Sequence, residues 1–106
     1  MRIERGEIVL PAFPFSSETG VKQRPALVLL DPSDHDVLVA RVTTQRHQSI
    51  FDVEVSKWKE AGLLAPSWVR LHKLATVEQR LVRRKLGRLP ESEWSTVQAL
   101  MRQMFA

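Results

Sequence analysis

Short apolar and β-branched runs, separated by turn residues, fill most of this chain and restrict it to a mainly β fold. The predicted strands are 6–13, 25–30, 36–44, 51–55, 67–74 and 80–89. Pro11 confines part of the first strand to an edge or a bend, because proline cannot donate to a strand ladder. Residues 14–21 are turn-rich and polar, which predicts a loop. Many short strands with tight turns are typical of a small, partly open barrel.

The hydrophobic period changes to that of a helix near the end of the sequence. Pro90 suits a first helical turn, and Glu91 and Glu93 favour the positive end of the helix dipole. The following apolar residues fall at helical spacing and predict one packed stripe: Trp94, Val97, Leu100, Met101, Met104 and Phe105. One or two further helical turns are predicted earlier, with Ser56 as N-cap and Gly62 as C′ residue.

The composition excludes several classes of function. The chain has 106 residues, which predicts one domain over 1–106, and it has no cysteine for disulfides, thiolate ligands or thiol catalysis. Its three histidines, His35, His47 and His72, lack the spacing of a helical metal pair, so we expect neither a metal nor a cofactor. With no apolar run long enough for a membrane span and no signal-peptide pattern, we expect a cytoplasmic protein. The net charge of +4 suits a polyanionic partner.

Polar side chains stand where two of the predicted strands begin or end. Arg24 directly precedes the apolar run that starts at Pro25, and Thr43, Thr44 and Gln45 close the next long strand. If these two strands are antiparallel neighbours, the guanidinium of Arg24 and the hydroxyl of Thr43 meet at one edge of the sheet. The loop over 16–23 would then lie above them.

A guanidinium beside a hydroxyl is suited to phosphate chemistry. The planar fork of arginine matches phosphate oxygens, and a threonine hydroxyl can donate to an oxygen that gains charge. Such a pair could stabilise the transition state formed when a ribose 2′-hydroxyl attacks the adjacent phosphate, a reaction open to RNA and not to DNA. On periodicity alone, the commoner role of Arg24 is a surface arginine paired with an acid, and that of Thr43 is an ordinary strand residue.

Five segments of the sequence, in order, closely resemble the MazF/PemK toxins of bacterial toxin–antitoxin pairs. The segments span 6–15, 22–29, 42–45, 61–74 and 85–89, and they include the Arg24-Pro25 dipeptide and the Thr43-Thr44-Gln45 motif. The resemblance implies an SH3-like barrel of the MazF/CcdB type that forms a homodimer. It also implies a metal-independent endoribonuclease that acts on single-stranded RNA and is inhibited by a cognate antitoxin.

The resemblance also assigns residues to roles. It makes Arg24 and Thr43 the catalytic pair, with Thr43 preferred over Thr44. The residues expected to contact RNA are Lys22, Gln23, Arg41, Thr44, Gln45 and His47. Arg41 departs from the family, because some relatives have an apolar residue or proline there. Its charge either lies near the RNA groove or simply faces solvent.

Two other functions stay open at this point. One is a toxin on the same barrel that binds gyrase, as CcdB-like proteins do, and the other is a non-catalytic module that binds nucleic acid through charge. The basic cluster around Arg83 and Arg84 serves either RNA contact or solubility. Trp68 could stack on a base or could lie at the rim of the core.

Overall fold

One antiparallel sheet and a C-terminal helix form the part of the chain that the computed structural model describes, residues 1–12 and 23–106. The strands are β1 Glu7–Pro11, β2 Ala26–Leu30, β3 Asp36–Thr43, β4 Asp52–Val55, β5 Ser67–Glu78 and β6 Val82–Arg88, and helix α1 is Glu91–Met104. The strand order is β4-β5-β3-β2-β1-β6, so β4 and β6 are the edges of a sheet that does not close. The predicted mainly β fold with a terminal helix is confirmed. The loop predicted over 14–21 lies outside the described residues.

The largest correction to the predicted strands concerns β5, which continues to Glu78 instead of ending at 74. Its register against β3 shifts sharply, because Ala40 pairs with Leu74 whereas the next residue, Arg41, pairs with Arg70. The extra residues of β5 bulge at this point, and a bulge bends its strand. The first half of β5 therefore also pairs with β4, while its second half pairs with β3. The strand predicted from Arg80 starts later, after a 3-10 turn over Gln79–Leu81.

Two apolar clusters lie on opposite faces of the sheet, as the alternation of side chains along a strand requires. On the helix side, Leu27, Ala40 and Val42 pack in a large cluster that Trp94 and Val97 of α1 complete. We call the other face the site face. Its cluster contains Ile3, Val9, Ala26, Val28, Val37, Val39, Val77 and Val82. These valines stop short of the end of β3, where the same face becomes polar.

Helix α1 packs on the sheet through the predicted stripe, with one exception. Trp94 and Val97 are buried and the next members of the stripe are partly buried, but Phe105 lies beyond the helix and is 69% exposed. Glu93 is 9% exposed, and its Oε2 accepts hydrogen bonds from the backbone N–H (2.7 Å) and the hydroxyl (2.9 Å) of Ser56. This carboxylate joins the start of the helix to the end of β4. No helix in the described ranges is long and apolar enough to cross a membrane.

The segment after β4 forms a turn and no regular helix. The C′ role of Gly62 is confirmed, because its φ is +85° and its N–H donates to the carbonyl of Lys59, while Leu63 N–H donates to the carbonyl of Trp58. The N-cap role of Ser56 is wrong, because no regular helix begins there and no backbone N–H of the turn donates to its hydroxyl, which instead donates to Glu93. The turn packs against β6 so closely that a Cβ on Gly62 would lie 1.9 Å from the carbonyl oxygen of Leu86.

We expect Gly62→Ala to destabilise the fold by well over about 1 kcal/mol, because it combines a left-handed backbone with a backbone clash. The measurement is the free energy of unfolding in urea. Gly6→Ala is the matched control, since Gly6 has a similar φ of +89° but its Cβ would approach only the tip of Arg88, at 3.2 Å. Equal losses in the two variants would contradict the close approach of the turn to β6.

We expect Glu93→Ala to cost about 2 kcal/mol, because the backbone N–H and the hydroxyl of Ser56 both lose their buried acceptor. Glu91→Ala is the control, since it removes a carboxylate from the same helical turn that is exposed, and its loss should be about 0.5 kcal/mol. Urea unfolding of both variants separates the tertiary contact from the helix-dipole effect. The same small loss in both would show that the Ser56 contact contributes nothing.

Candidate functional site

The pairing of β2 with β3 brings Arg24 and Thr43 together, as the sequence predicts. Ala26 pairs with Arg41, and the carbonyl of Pro25 accepts a hydrogen bond from Val42 N–H at 3.1 Å. The same antiparallel register, continued by one more residue, places Arg24 directly opposite Thr43. Side chains directly opposite each other share one face of a sheet. Both therefore belong to the site face, just beyond the end of its valine cluster.

Arg24 and Thr43 also line one small cavity, of ≈ 100 Å³. We call it the Arg24 cavity. Its lining residues are Gln23, Arg24, Pro25, Val42, Thr43, Thr44 and Ser67. The cavity thus lies between the ends of β2, β3 and β5, and polar groups of all three elements reach it.

The hydroxyl of Thr43 is held in place by the backbone that follows it. Thr43 is 4% exposed, and its Oγ1 accepts a hydrogen bond from Gln45 N–H at 3.1 Å. A hydroxyl that accepts one hydrogen bond still has its own hydrogen to donate. Thr44, the next residue, is exposed. The arrangement is that of a fixed donor at the bottom of a cavity.

Arg24 lacks the acidic partner that an ordinary surface arginine would have. Among residues 1–12 and 23–106, no carboxylate lies within 4.0 Å of its guanidinium. It is half-buried at the cavity. Its positive charge is thus available to an anion that enters the cavity.

A second cavity, of ≈ 200 Å³, lies on the other side of Thr43. Trp68 pairs with Thr43 across β5 and β3, and Glu54 pairs with Trp68 across β4 and β5, so the three side chains form one row on the site face. The lining residues are Arg46, Gln48, Ser49, Asp52, Glu54 and Trp68. Trp68 is half-buried and faces this cavity, which makes the stacking role of its ring geometrically feasible.

The neighbouring row on the site face carries two arginines. Arg41 pairs with Arg70 across β3 and β5, and Arg70 pairs with Asp52 across β5 and β4. The Nε of Arg70 donates to Asp52 Oδ1 at 3.1 Å, and the two side chains are 12% and 5% exposed. Arg41 is half-buried and its Nε is fully buried, so the stem of its side chain packs against the site face.

The remaining predicted RNA contacts divide into three groups. Gln23 and Thr44 line the Arg24 cavity, and Gln45 adjoins it through its backbone bond to Thr43. His47 is exposed in the connection between β3 and β4 and lines neither cavity. Lys22 lies outside the described residues.

Reasoning from the sequence missed several polar residues. Asp52, Glu54 and Arg70 lie on the site face, while Ser67 and Arg46 line the two cavities. The alternation of Asp52 with Glu54 and of Trp68 with Arg70 was a signal that each pair shares a face. It could not be used without the pairing of β3, β5 and β4, which the bulge in β5 determines.

A larger cavity, of ≈ 650 Å³, lies between β4 and α1 and does not suit a polyanion. Its described lining has three carboxylates and no basic side chain. Within the described ranges, no three His, Asp or Glu side chains converge as a metal site would require. The arginines of the site face are therefore the better place for a phosphate.

Comparison with solved structures finds the same fold in bacterial toxins. The Mycobacterium tuberculosis toxin MazF-mt6 superposes with a TM-score of 0.76 at 24% identity, covering 93% of this chain and 95% of that one. MazF in the MazE–MazF complex from Deinococcus radiodurans gives 0.75 at 18% identity, with coverage of 97% and 95%. An endoribonuclease bound to its cognate antitoxin, from a mycobacterial species, gives 0.76 at 16% identity, with coverage of 96% and 93%.

Comparison of the sequence itself identifies the family. No curated protein sequence matches the chain significantly. The family model of the PemK-like, MazF-like toxins of type II toxin–antitoxin systems matches residues 4–105, which is nearly the whole chain. The chain therefore belongs to the PemK-like, MazF-like family of toxins.

Proposed function

We propose that this toxin is an endoribonuclease that cuts single-stranded RNA without a metal, with Arg24 and Thr43 at the reaction centre. The observation that carries the proposal is their position directly opposite each other in one cavity, with no acid paired to Arg24 among the described residues. Family membership supports it, as does the description of a structural neighbour as an endoribonuclease.

The chemistry uses the nucleophile that RNA carries itself. The ribose 2′-hydroxyl gives up its proton to solvent as its oxygen forms a bond to phosphorus. The bond from phosphorus to the 5′-oxygen breaks and that oxygen takes up a proton, which leaves a 2′,3′-cyclic phosphate and a 5′-hydroxyl. Arg24 and the Thr43 hydroxyl donate hydrogen bonds to the phosphoryl oxygens, on which negative charge builds up in the transition state. Arginine stays protonated in neutral water, so Arg24 acts as a charge stabiliser or as the acid for the leaving oxygen, and not as the base.

The partners follow from the same assignment. We propose that the protein acts as a cytoplasmic homodimer that a cognate antitoxin inhibits, since structural neighbours are found with their antitoxins. An antitoxin segment that covers the site face would exclude RNA, because it would cover the arginines that RNA needs. The gyrase-binding alternative has no use for the Arg24 cavity.

The first test is cleavage of single-stranded RNA in EDTA, with the ends of the products sequenced and their termini identified. We expect 2′,3′-cyclic phosphate and 5′-hydroxyl ends, and we expect one 2′-deoxynucleotide at the cut position to abolish the reaction. Arg24→Ala should lower the single-turnover rate at least about 100-fold, as the loss of one transition-state donor does. Arg102→Ala is the matched control on α1, where the residue is exposed on the far side of the sheet. Equal rates for Arg24→Ala and Arg102→Ala would exclude Arg24 from the site.

The second test concerns the hydroxyl of Thr43. Thr43→Val keeps the shape of the side chain but removes the donor, so its rate should fall about 100-fold or more. Thr43→Ser keeps the hydroxyl and should retain most activity, while Thr44→Val should lose less than about tenfold. Thermal unfolding checks that Thr43→Val is folded. A larger loss for Thr44→Val than for Thr43→Val would show that Thr44, and not Thr43, supplies the catalytic hydroxyl.

A further inference from the structure

Arg41 carries a positive charge that no described carboxylate balances. In residues 1–12 and 23–106, no acid comes within 4.0 Å of its guanidinium nitrogens. Its Nε is buried and has no hydrogen-bond partner in the same ranges. A ligand cannot reach this buried nitrogen, but the two terminal nitrogens of the guanidinium are not buried in this way and can donate hydrogen bonds to an anion.

Arg70, directly opposite Arg41, adds a second positive charge to this part of the site face. Arg70 is already paired with Asp52, whose other oxygen, Oδ2, accepts a hydrogen bond from Ser49 N–H at 3.1 Å. Like charges directly opposite each other in a sheet repel. The carboxylate of Asp52 thus has both oxygens engaged and contacts Arg70 but not Arg41, which is left without a counter-charge in the described part of the chain. An anion beside Arg41 would restore neutrality.

The rival internal partner for Arg41 is Glu54, and its position argues against it. Glu54 pairs with Trp68, in the row next to that of Arg41, and it is exposed. It makes no ion pair within 4.0 Å with any described cation. The anion that completes the site therefore comes from outside this part of the chain.

The distance of Arg41 from Thr43 along β3 indicates that the anion is a phosphate of the same RNA strand. Arg41 precedes Thr43 by two residues on the same face of β3, and two strand residues span about 7 Å. One nucleotide of an extended RNA strand can bridge such a distance between consecutive phosphates. The guanidinium fork matches the oxygens of a phosphodiester.

We propose that Arg41, with Arg70 beside it, binds the phosphate next to the scissile one on the same RNA strand. The proposal rests on the proposed function, because it takes the Arg24 cavity as the place of the scissile phosphate. Arg41 is then a binding residue that fixes the register of the strand. It lowers the Kd of the substrate and leaves bond cleavage to Arg24 and Thr43.

The test uses an RNA oligonucleotide with one mapped cut site, blocked by a single 2′-deoxynucleotide. The phosphates flanking the cut are replaced one at a time by uncharged methylphosphonates, and Kd is measured by fluorescence anisotropy. At one flanking phosphate we expect the wild-type protein to lose about tenfold in affinity. Arg41→Gln should lose roughly twofold or less at that linkage, because its contact is already gone. Equal losses for both proteins at every linkage would overturn the proposal.

Matched variants separate this contact from charge and folding. Arg102→Gln removes the same charge from the exposed surface of α1, on the other side of the sheet, and should keep the wild-type pattern. Arg41→Lys keeps the charge without the planar fork and should give an intermediate loss of affinity. It replaces Arg41→Gln in the test if thermal unfolding shows that Arg41→Gln is not folded. In cleavage assays with unmodified RNA, Arg41→Gln should raise KM more than it lowers kcat, and the reverse would contradict a binding role.

Failure of the proposed function gives a different result from failure of this one. If no RNA is cleaved, the cleavage proposal falls, and binding of the DNA oligonucleotide dT12 is measured against salt concentration. The slope of log affinity should be shallower by about 0.7 in Arg41→Gln than in Arg102→Gln, as for one lost phosphate contact. Identical slopes would exclude the anion site. If the wild type cleaves RNA and Arg41→Gln has no effect, the proposed phosphate subsite is wrong and the cleavage proposal stands.

Discussion

The antiparallel pairing of β2 with β3 is the interaction on which the rest of the structure depends. It places Leu27 opposite Ala40 in the apolar cluster below α1, and by the same register it places Arg24 opposite Thr43. A slip by one residue would turn every side chain of a strand to the other face. Packing of the apolar core therefore fixes the register of β2 against β3. The position of Arg24 opposite Thr43 follows from that register and needs no direct contact between the two side chains.

The site face has an apolar half, which packs in the core, and a charged half, which lines the cavities. Val37 and Val39 hold β3 in the core, whereas Arg41 and Thr43 continue the same face as polar groups. The buried pair of Arg70 and Asp52 stabilises the protein little, because desolvation offsets its Coulomb attraction. It is better understood as fixing the position of a guanidinium beside a place where phosphate binds. Preorganised charge of this kind is what a phosphoryl transition state requires.

Most of the architecture was predictable because it depends on local pattern. Alternation, turn residues and the change to a helical period predicted the strands and α1, and the position of Arg24 before one apolar run and Thr43 at the end of the next predicted their meeting. Gly62 was identified as a C′ residue for the same reason, since a left-handed backbone strongly favours glycine. The errors occurred where distant segments meet. Ser56 donates to Glu93, far along the chain, and not to its own turn.

The sequence by itself thus determined the fold class, the family resemblance and the pairing of Arg24 with Thr43, because each depends on residues close in the chain or joined by one tight turn. Tertiary structure alone decided that Trp68, Arg70, Asp52 and Glu54 share the site face. Those neighbours depend on a bulge in β5, and the pleat repeats every two residues, so an uncertain register leaves the face of every later side chain undetermined. The charge balance around Arg41 could not be predicted for the same reason, since only the structure shows that the Asp52 carboxylate pairs with Arg70 and not with Arg41.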